Sequence, residues 1–326
     1  MVTSCPSDAH CWTFLCHPSA HRMRMSNPSQ GGIEMSLTNY VPTPKFEEYK
    51  ELFKEHFIME RRDGIIELRM HTLGGDVQWN FELHRALWQA FQTVGADPEN
   101  QVMILTTTGD TWIANIDDSS FAKEEEDRPY YSYEHMYYDG RRMLISLIND
   151  IEIPTIGVIP GPGAHTELAL MCDITICSDN SMIVDPHLDL GLVPGDGIHS
   201  AFIELMGVKR AAYALLTCEL MDAKKCLEYG LVNEIVPRDK LHARSWEIAK
   251  RINGRKRTTV RMSVPVIRRP WKQRITDDLD GGFAMEMHAY LCDNPEHRDD
   301  IGKKTYERSD AYTEADRKKG LRASAS

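Results

Sequence analysis

The chain has 326 residues, 42% of them apolar and 27% charged, with a formal net charge of −11. That balance is ordinary for a globular protein with a sizeable core, and its negative sign disfavours nucleic acid or an anionic membrane as a partner. No apolar run approaches the roughly 20 residues that span a bilayer, the N-terminus lacks the basic-then-apolar layout of a secretory signal, and the eight cysteines form no disulfide framework, which points to a reducing, cytoplasmic setting.

Residues 1–44 are expected to be a disordered extension, Ser-, Pro- and His-rich and aperiodic. His10, Cys11, Cys16, His17 and His21 are metal-ligand types, but no C-x-x-C pair organises them. The core begins near Phe46. HFIMERRDGIIELRMH reads as two strands turning at Asp63-Gly64. In WNFELHRALWQAFQTV, Phe81, Leu83, Leu87, Phe91 and Val94 recur at helical spacing, with Trp79 opening the helix. GADP closes it. QVMILTTTG reads as a buried parallel strand feeding a loop, TWIANIDDSS, and then a solvated acidic run at 124–127.

YEHMYYDGRRMLISLIND reads as a helix, IPTIGVIPGPG as a strand and its turn, and residues 164–171 as a helix opening on that turn. DITICSD and SMIVD are further strands, with helices near 198–206, 209–217 and 222–229. LVNEIVP lies before the last part of the chain, which is helical from about residue 240, and has no assignment of its own. Strands alternating with helices predict an α/β fold with parallel strands. Residues 45–255 form its core and residues 256–326 an appended C-terminal helical region.

DPHLDLGLVPGDGIH is the stretch that packing does not explain. His187 stands in apolar surroundings, and Asp196 lies between two glycines that permit a sharp turn. An aspartate accepting from one ring nitrogen would leave the other as a base. Asp196 also suits a turn or a helix N-cap, and His199 is a rival partner for it. In GPGAHTELALMCDI, Ala164, His165 and Thr166 fall near a helix N-terminus, where N–H groups favour developing negative charge. His165 could donate to an oxyanion or be a solvated loop residue. Glu167 could be an acid or base, or a first-turn carboxylate. Trp79 either packs under a turn or offers its indole N–H to a pocket. Glu286 reads as a surface carboxylate. The tyrosine-rich residues 130–138 suit a pocket wall or packing equally. No G-x-S-x-G, no P-loop and no metal spacing occur in the core, so the reading includes no cofactor and no metal.

TELALMCDITICSDNSMIVDPHLDLGLVPGDGIHSAFIELMG and KKCLEYGLVNEIVP resemble the crotonase (enoyl-CoA hydratase/isomerase) superfamily over roughly residues 45–295. The resemblance implies a ββα spiral core and a C-terminal helical trimerisation region, in a homotrimer or dimer of trimers. It implies that Ile116 and Ala164 supply oxyanion N–H groups and that Glu167 matches the hydratases' first glutamate. His187 replaces their second glutamate. PHLDLGLVPGDGIH is similar to a branch of 6-oxocamphor and related β-diketone hydrolases, which need no coenzyme A. That likeness implies a His187/Asp196 base dyad, a carbonyl held by His165 and Trp79, and Glu286 as a late pocket carboxylate. The reaction implied is retro-Claisen cleavage of a small-molecule diketone. A hydratase, isomerase or ring-opening hydrolase acting on a CoA thioester is the first alternative. A non-catalytic binding protein of the same fold is the second.

Overall fold

The computed structural model describes residues 41–113, 115–117 and 125–292. The expected disorder of residues 1–44, with its Cys/His group, falls almost wholly outside them, as does the C-terminal tail. The chain divides into Met1–Pro42 and Thr43–Ser326. The described part of the first unit is Val41 and Pro42, without regular structure.

The elements run α1 (Phe46–Leu52), β1 (Phe57–Arg62), β2 (Ile65–Met70), β3 (Gln78–Trp79), α2 (Phe81–Ala96), β4 (Val102–Thr107), β5 (Asn115–Ile116), α3 (Arg128–Tyr131), a π-helical segment (Ser132–Gly140), α4 (Arg141–Asn149), β6 (Thr155–Ile159), α5 (Glu167–Leu170), β7 (Ile174–Ser178) and β8 (Met182–Ile183). They continue with α6 (Ile198–Met206), α7 (Val208–Leu216), β9 (Met221–Asp222), α8 (Ala223–Tyr229), β10 (Glu234–Val236), α9 (Arg238–Asn253), α10 (Arg257–Ile267), α11 (Arg269–Arg274), a second π-helical segment (Ile275–Leu279) and α12 (Asp280–Cys292).

Six strands form one sheet in the order β1-β2-β4-β6-β7-β10. The hairpin pairs Phe57 with Met70 and Arg62 with Ile65, antiparallel. Every other neighbouring pair in that sheet is parallel. β4 shows why VMILTT has no polar alternation: all of it is buried. Met103 and Leu105 pack with Leu87, Phe91 and Leu144 on one face. Val102 and Ile104 pack with Leu241 and Trp246 of α9 on the other. Past Val236 the described chain is helical. Arg268, buried between α10 and α11, donates to Asp173 Oδ1 (2.7 Å) and the Ile153 carbonyl (2.9 Å), fastening these helices to the sheet. No helix among the described residues is long and apolar enough to cross a membrane.

Four local expectations change. Trp79 does not open a helix; it lies in β3, paired with Ile116 of β5. The helix starts at Phe81 because the Asn80 side chain accepts from the Leu83 N–H (2.8 Å) and caps it. The helix expected at 164–171 is a single turn, Glu167–Leu170, since His165 has φ 52 and cannot join it. LVNEIVP supplies β10, whose three residues are too few to display a period. YEHMYYDG is π-helical, and its wider turn buries Met136, Asp139 and Gly140 while Tyr133 stays exposed.

Candidate active site

A cavity forms where the segments around β3 and β5, the loop after β6 and the loop after β8 meet α2 and α12. Trp79, His84, His165, His187, Asp196 and Glu286 give it polar walls, and Phe81, Met136, Leu192 and Phe283 give it apolar ones. Met136 is the contribution of the tyrosine-rich stretch; Tyr130 and Tyr133 face outward.

The glycines of PGDG make the site possible. A Cβ on Gly195 would lie 2.1 Å from the Gly282 carbonyl oxygen and 2.9 Å from the Glu286 Cβ, so α12 can close on the Asp196 loop only over a glycine. Gly197, at φ 107, then turns the chain into α6. Of the two local readings of Asp196 the turn holds and the N-cap does not: its Oδ1 accepts from the Ile198 N–H at 3.1 Å across the turn, while Gly197 is the N-cap of α6. His165 is held in the left-handed region, a strain of order 1–3 kcal/mol for a non-glycine. The Trp112 indole donates to its carbonyl (3.0 Å), and its ring stacks on Trp79 with centroids 4.1 Å apart at 19°.

The histidines divide the carboxylates differently from the expected dyad. His187 Nδ1 bonds Asp185 Oδ1 at 2.6 Å. Its Nε2 stands 3.7 Å from Asp196 Oδ2 and 3.6 Å from Glu286 Oε1, neither at hydrogen-bond distance. Asp196 Oδ2 is nearer to His165 Nδ1, at 3.1 Å, and Glu167 Oε1 lies 3.3 Å from the same nitrogen. Asp185, not Asp196, therefore orients His187; His165 Nδ1 bonds Glu167 Oε1, and Asp196 Oδ2 lies close to the same ring as a charge but without a hydrogen-bond partner. His199, the rival partner, keeps a buried Nδ1 without a hydrogen-bond partner. The facing atoms of His165, Glu167 and Asp196 all lie within 4.8 Å of one another, a spacing that a metal ion could bridge. A proton on Nδ1 accounts for the same contacts.

Residues 60–309 match the family model described as enoyl-CoA hydratase/isomerase. The chain belongs to the enoyl-CoA hydratase/isomerase family. Among solved structures it is similar to a beta-diketone hydrolase from the cyanobacterium Anabaena sp. PCC 7120, bound to (S)-3-oxocyclohexyl acetic acid. Identity there is 33%, over 75% of this chain and 97% of that one, with a TM-score of 0.71. An enoyl-CoA hydratase/isomerase from Mycobacterium paratuberculosis shares the fold at 19% identity, covering 76% and 97% of the two chains with a TM-score of 0.68. The crotonyl-CoA hydratase of Syntrophomonas wolfei is 25% identical over 241 residues, 73% of this chain and 90% of that one.

The electrostatics of this family member follow from burial and pairing. Burial works against charge on His165, but the Asp196 and Glu167 carboxylates outweigh it and raise the ring to about 9. His187 is likewise opposed by burial and carried well above the ordinary histidine range by Asp185 and Asp196. Burial and the Asp196 charge push Glu167 up to about 7. Glu286 is not at the surface: it is buried, and burial raises its carboxyl despite the nearby His187. Asp196, though buried, is held below the carboxylate range by the two histidines.

Two expected site residues stand off the cavity wall. Ala164 is fully buried and its N–H donates to the Ile113 carbonyl at 2.9 Å, so that donor is engaged within the fold. Glu167 is buried beside the wall residue His165, is not itself on the wall, and keeps Oε2 without a hydrogen-bond partner. Ile116 does line the cavity, beside Trp79.

Three residues join the site that sequence reasoning missed. Asp185 was in view, two positions before His187. His84 sits on the buried face of α2, where its Nδ1–H donates to the His135 carbonyl (3.0 Å). Its Nε2 has no partner, and burial lowers the ring to about 4, leaving a neutral acceptor at the wall. A polar ring in register with Leu87 and Phe91 was the available signal. Arg128 has no such signal.

Proposed function

We propose that this family member cleaves a C–C bond of a cyclic β-diketone by retro-Claisen hydrolysis and releases a keto acid. The observation that carries the reading is that two histidines form the reactive wall, His187 bonded to Asp185 and His165 to Glu167, while Glu167 itself lies behind that wall. The 33% identical beta-diketone hydrolase supports the same reaction class.

Nε2 of His187 must lose its proton before it can act as a base. Glu286 Oε1, 3.6 Å away, is the acceptor, and burial raises its affinity for that proton. Asp185 holds the remaining proton on Nδ1. Water then attacks one carbonyl carbon as Nε2 takes its proton. The tetrahedral oxyanion forms against the His165 cation and the Trp79 indole N–H, donors already in place. Collapse breaks the C–C bond and leaves a carboxylic acid and an enolate that the second carbonyl stabilises. The Glu286 proton completes the ketone, which restores charged His187 and ionised Glu286. The balance consumes water alone, so no cofactor enters it.

The test is turnover of a cyclic β-diketone by purified protein without CoA, followed as keto acid released, beside crotonyl-CoA under the same conditions. Keto acid formation is expected. Hydration of crotonyl-CoA with no diketone cleavage would overturn the proposal.

A further inference from the structure

Arg128 opens α3 and is only 2% exposed, yet it lines the same cavity as His187 and Asp196. One terminal nitrogen donates to the Tyr290 main-chain carbonyl, and the guanidinium carbon lies 4.7 Å from the centre of the Tyr290 ring. Its Nε is buried with no partner. Among the described residues no carboxylate pairs with it. Arg268 shows how the chain treats an arginine that it buries for structure. At 1% exposure, Arg268 has Asp173 and the carbonyls of Leu147, Ile151 and Ile153 around it. A guanidinium cannot shed its charge, and a buried charge without a counter-charge is costly. Arg128 is placed as though its counter-charge arrives from the cavity.

We propose that Arg128 anchors a carboxylate of the molecule bound in this cavity. The edge of the guanidinium that includes Nε can meet the two oxygens of a carboxylate. Phe81, Met136 and Tyr290, clustered at this end, exclude water from the pair. Tyr290, which Arg128 contacts, lies one helical turn past Glu286 on α12, roughly 6 Å along the helix axis. That separation suits a ring ketone and a short carboxylate-bearing arm. The inference rests on the diketone reading for the ring, and on the cavity alone for the charge. The carboxylate is either borne by the substrate or formed in the cleavage.

Binding of 3-oxocyclohexylacetic acid and of its primary amide is measured by calorimetry with the native protein, Arg128→Met and Arg128→Lys. The native protein is expected to prefer the acid by about 10- to 100-fold. Arg128→Met loses that preference and Arg128→Lys keeps part of it, while amide binding shows that each variant retains its site. An equal preference in the native protein and Arg128→Met, or no preference in either, overturns the anchor. Kinetics with a neutral cyclic diketone and its carboxymethyl derivative then separate the sources. A lower KM for the carboxylated diketone, lost in Arg128→Met, marks a substrate-borne group. Product inhibition by the keto acid, relieved in Arg128→Met without any substrate preference, marks the newly formed one. Cleavage of neither diketone defeats the diketone reading, and the calorimetric comparison still decides the anchor.

Discussion

His187 binds Asp185, two residues before it, at 2.6 Å through Nδ1, while its Nε2 stands 3.7 Å from Asp196. The short contact fixes the tautomer; the long one faces the reaction. Asp185→Asn would keep the shape but let the amide donate to Nδ1, which moves the ring proton to Nε2 and removes the base. By analogy with an asparagine placed behind a catalytic histidine, kcat should fall by about 10²–10⁴-fold with little change in KM. Steady-state kinetics on a cyclic diketone provide the check. A kcat within a factor of about 3 of the native value would return the orienting role to Asp196.

Asp196 Oδ2 lies 3.1 Å from His165 Nδ1, so removing its charge should show in the pH profile. His165, raised to about 9 by Asp196 and Glu167 against burial, donates as a cation. The kcat/KM of the native protein should therefore fall as pH rises through about 9. Asp196→Asn takes away one of the two raising carboxylates and should move that limb to lower pH. An unmoved limb would mean that Asp196 does not set the charge of His165. His165→Ala should lower kcat by roughly 10²–10³-fold, the usual cost of one oxyanion donor.

Stability carries the same signature with a definite sign. The folded His165 holds its proton up to about 9, whereas an unfolded histidine loses it near 6.5. Between those values the folded state binds more protons, so stability falls as pH rises. The contribution is complete below about 6.5 and gone above about 9. His187, also raised, adds in the same direction. Melting temperatures at pH 7 and 9 should drop more steeply for the native protein than for His165→Gln. Equal slopes would show that the ring gains no proton on folding.

Much of this was legible because it is local. The β1–β2 hairpin announces itself through Asp63-Gly64 between apolar runs, and VMILTT through its length and composition. His187 and Asp196 could be picked out because neither belongs in an apolar stretch. Which carboxylate meets which nitrogen could not be read, since it depends on how the loop after β8 folds back on His165. The spacing of nine residues between His187 and Asp196 suggested a pair; the nearer Asp185 took the bond. Trp79 was placed in a helix because apolar spacing does not reveal an Asn80 cap one residue later. Arg128 gave no sign because its surroundings come from α12, far along the chain. Its meaning lies in the absence of a paired carboxylate among the described residues, which only three-dimensional packing displays.

Gly195 links the backbone to the chemistry most directly. Nothing catalytic is expected of a glycine, yet a methyl group there would meet the Gly282 carbonyl at 2.1 Å and the Glu286 Cβ at 2.9 Å. Backbone atoms on a packed helix cannot rotate aside, so α12 must shift outward. That shift carries Glu286 away from His187 Nε2, already 3.6 Å distant, and lengthens the proton transfer on which the proposed cycle depends. Gly195→Ala should cost about 1–3 kcal/mol of stability, as overpacking does. It should also lower kcat by more than the folded fraction explains, because a displacement near 1 Å can cost about 10²-fold. Unfolding curves and kcat measured on the same preparation separate the two effects. A destabilised variant with native kcat per folded molecule would show that the position of Glu286 does not limit the reaction.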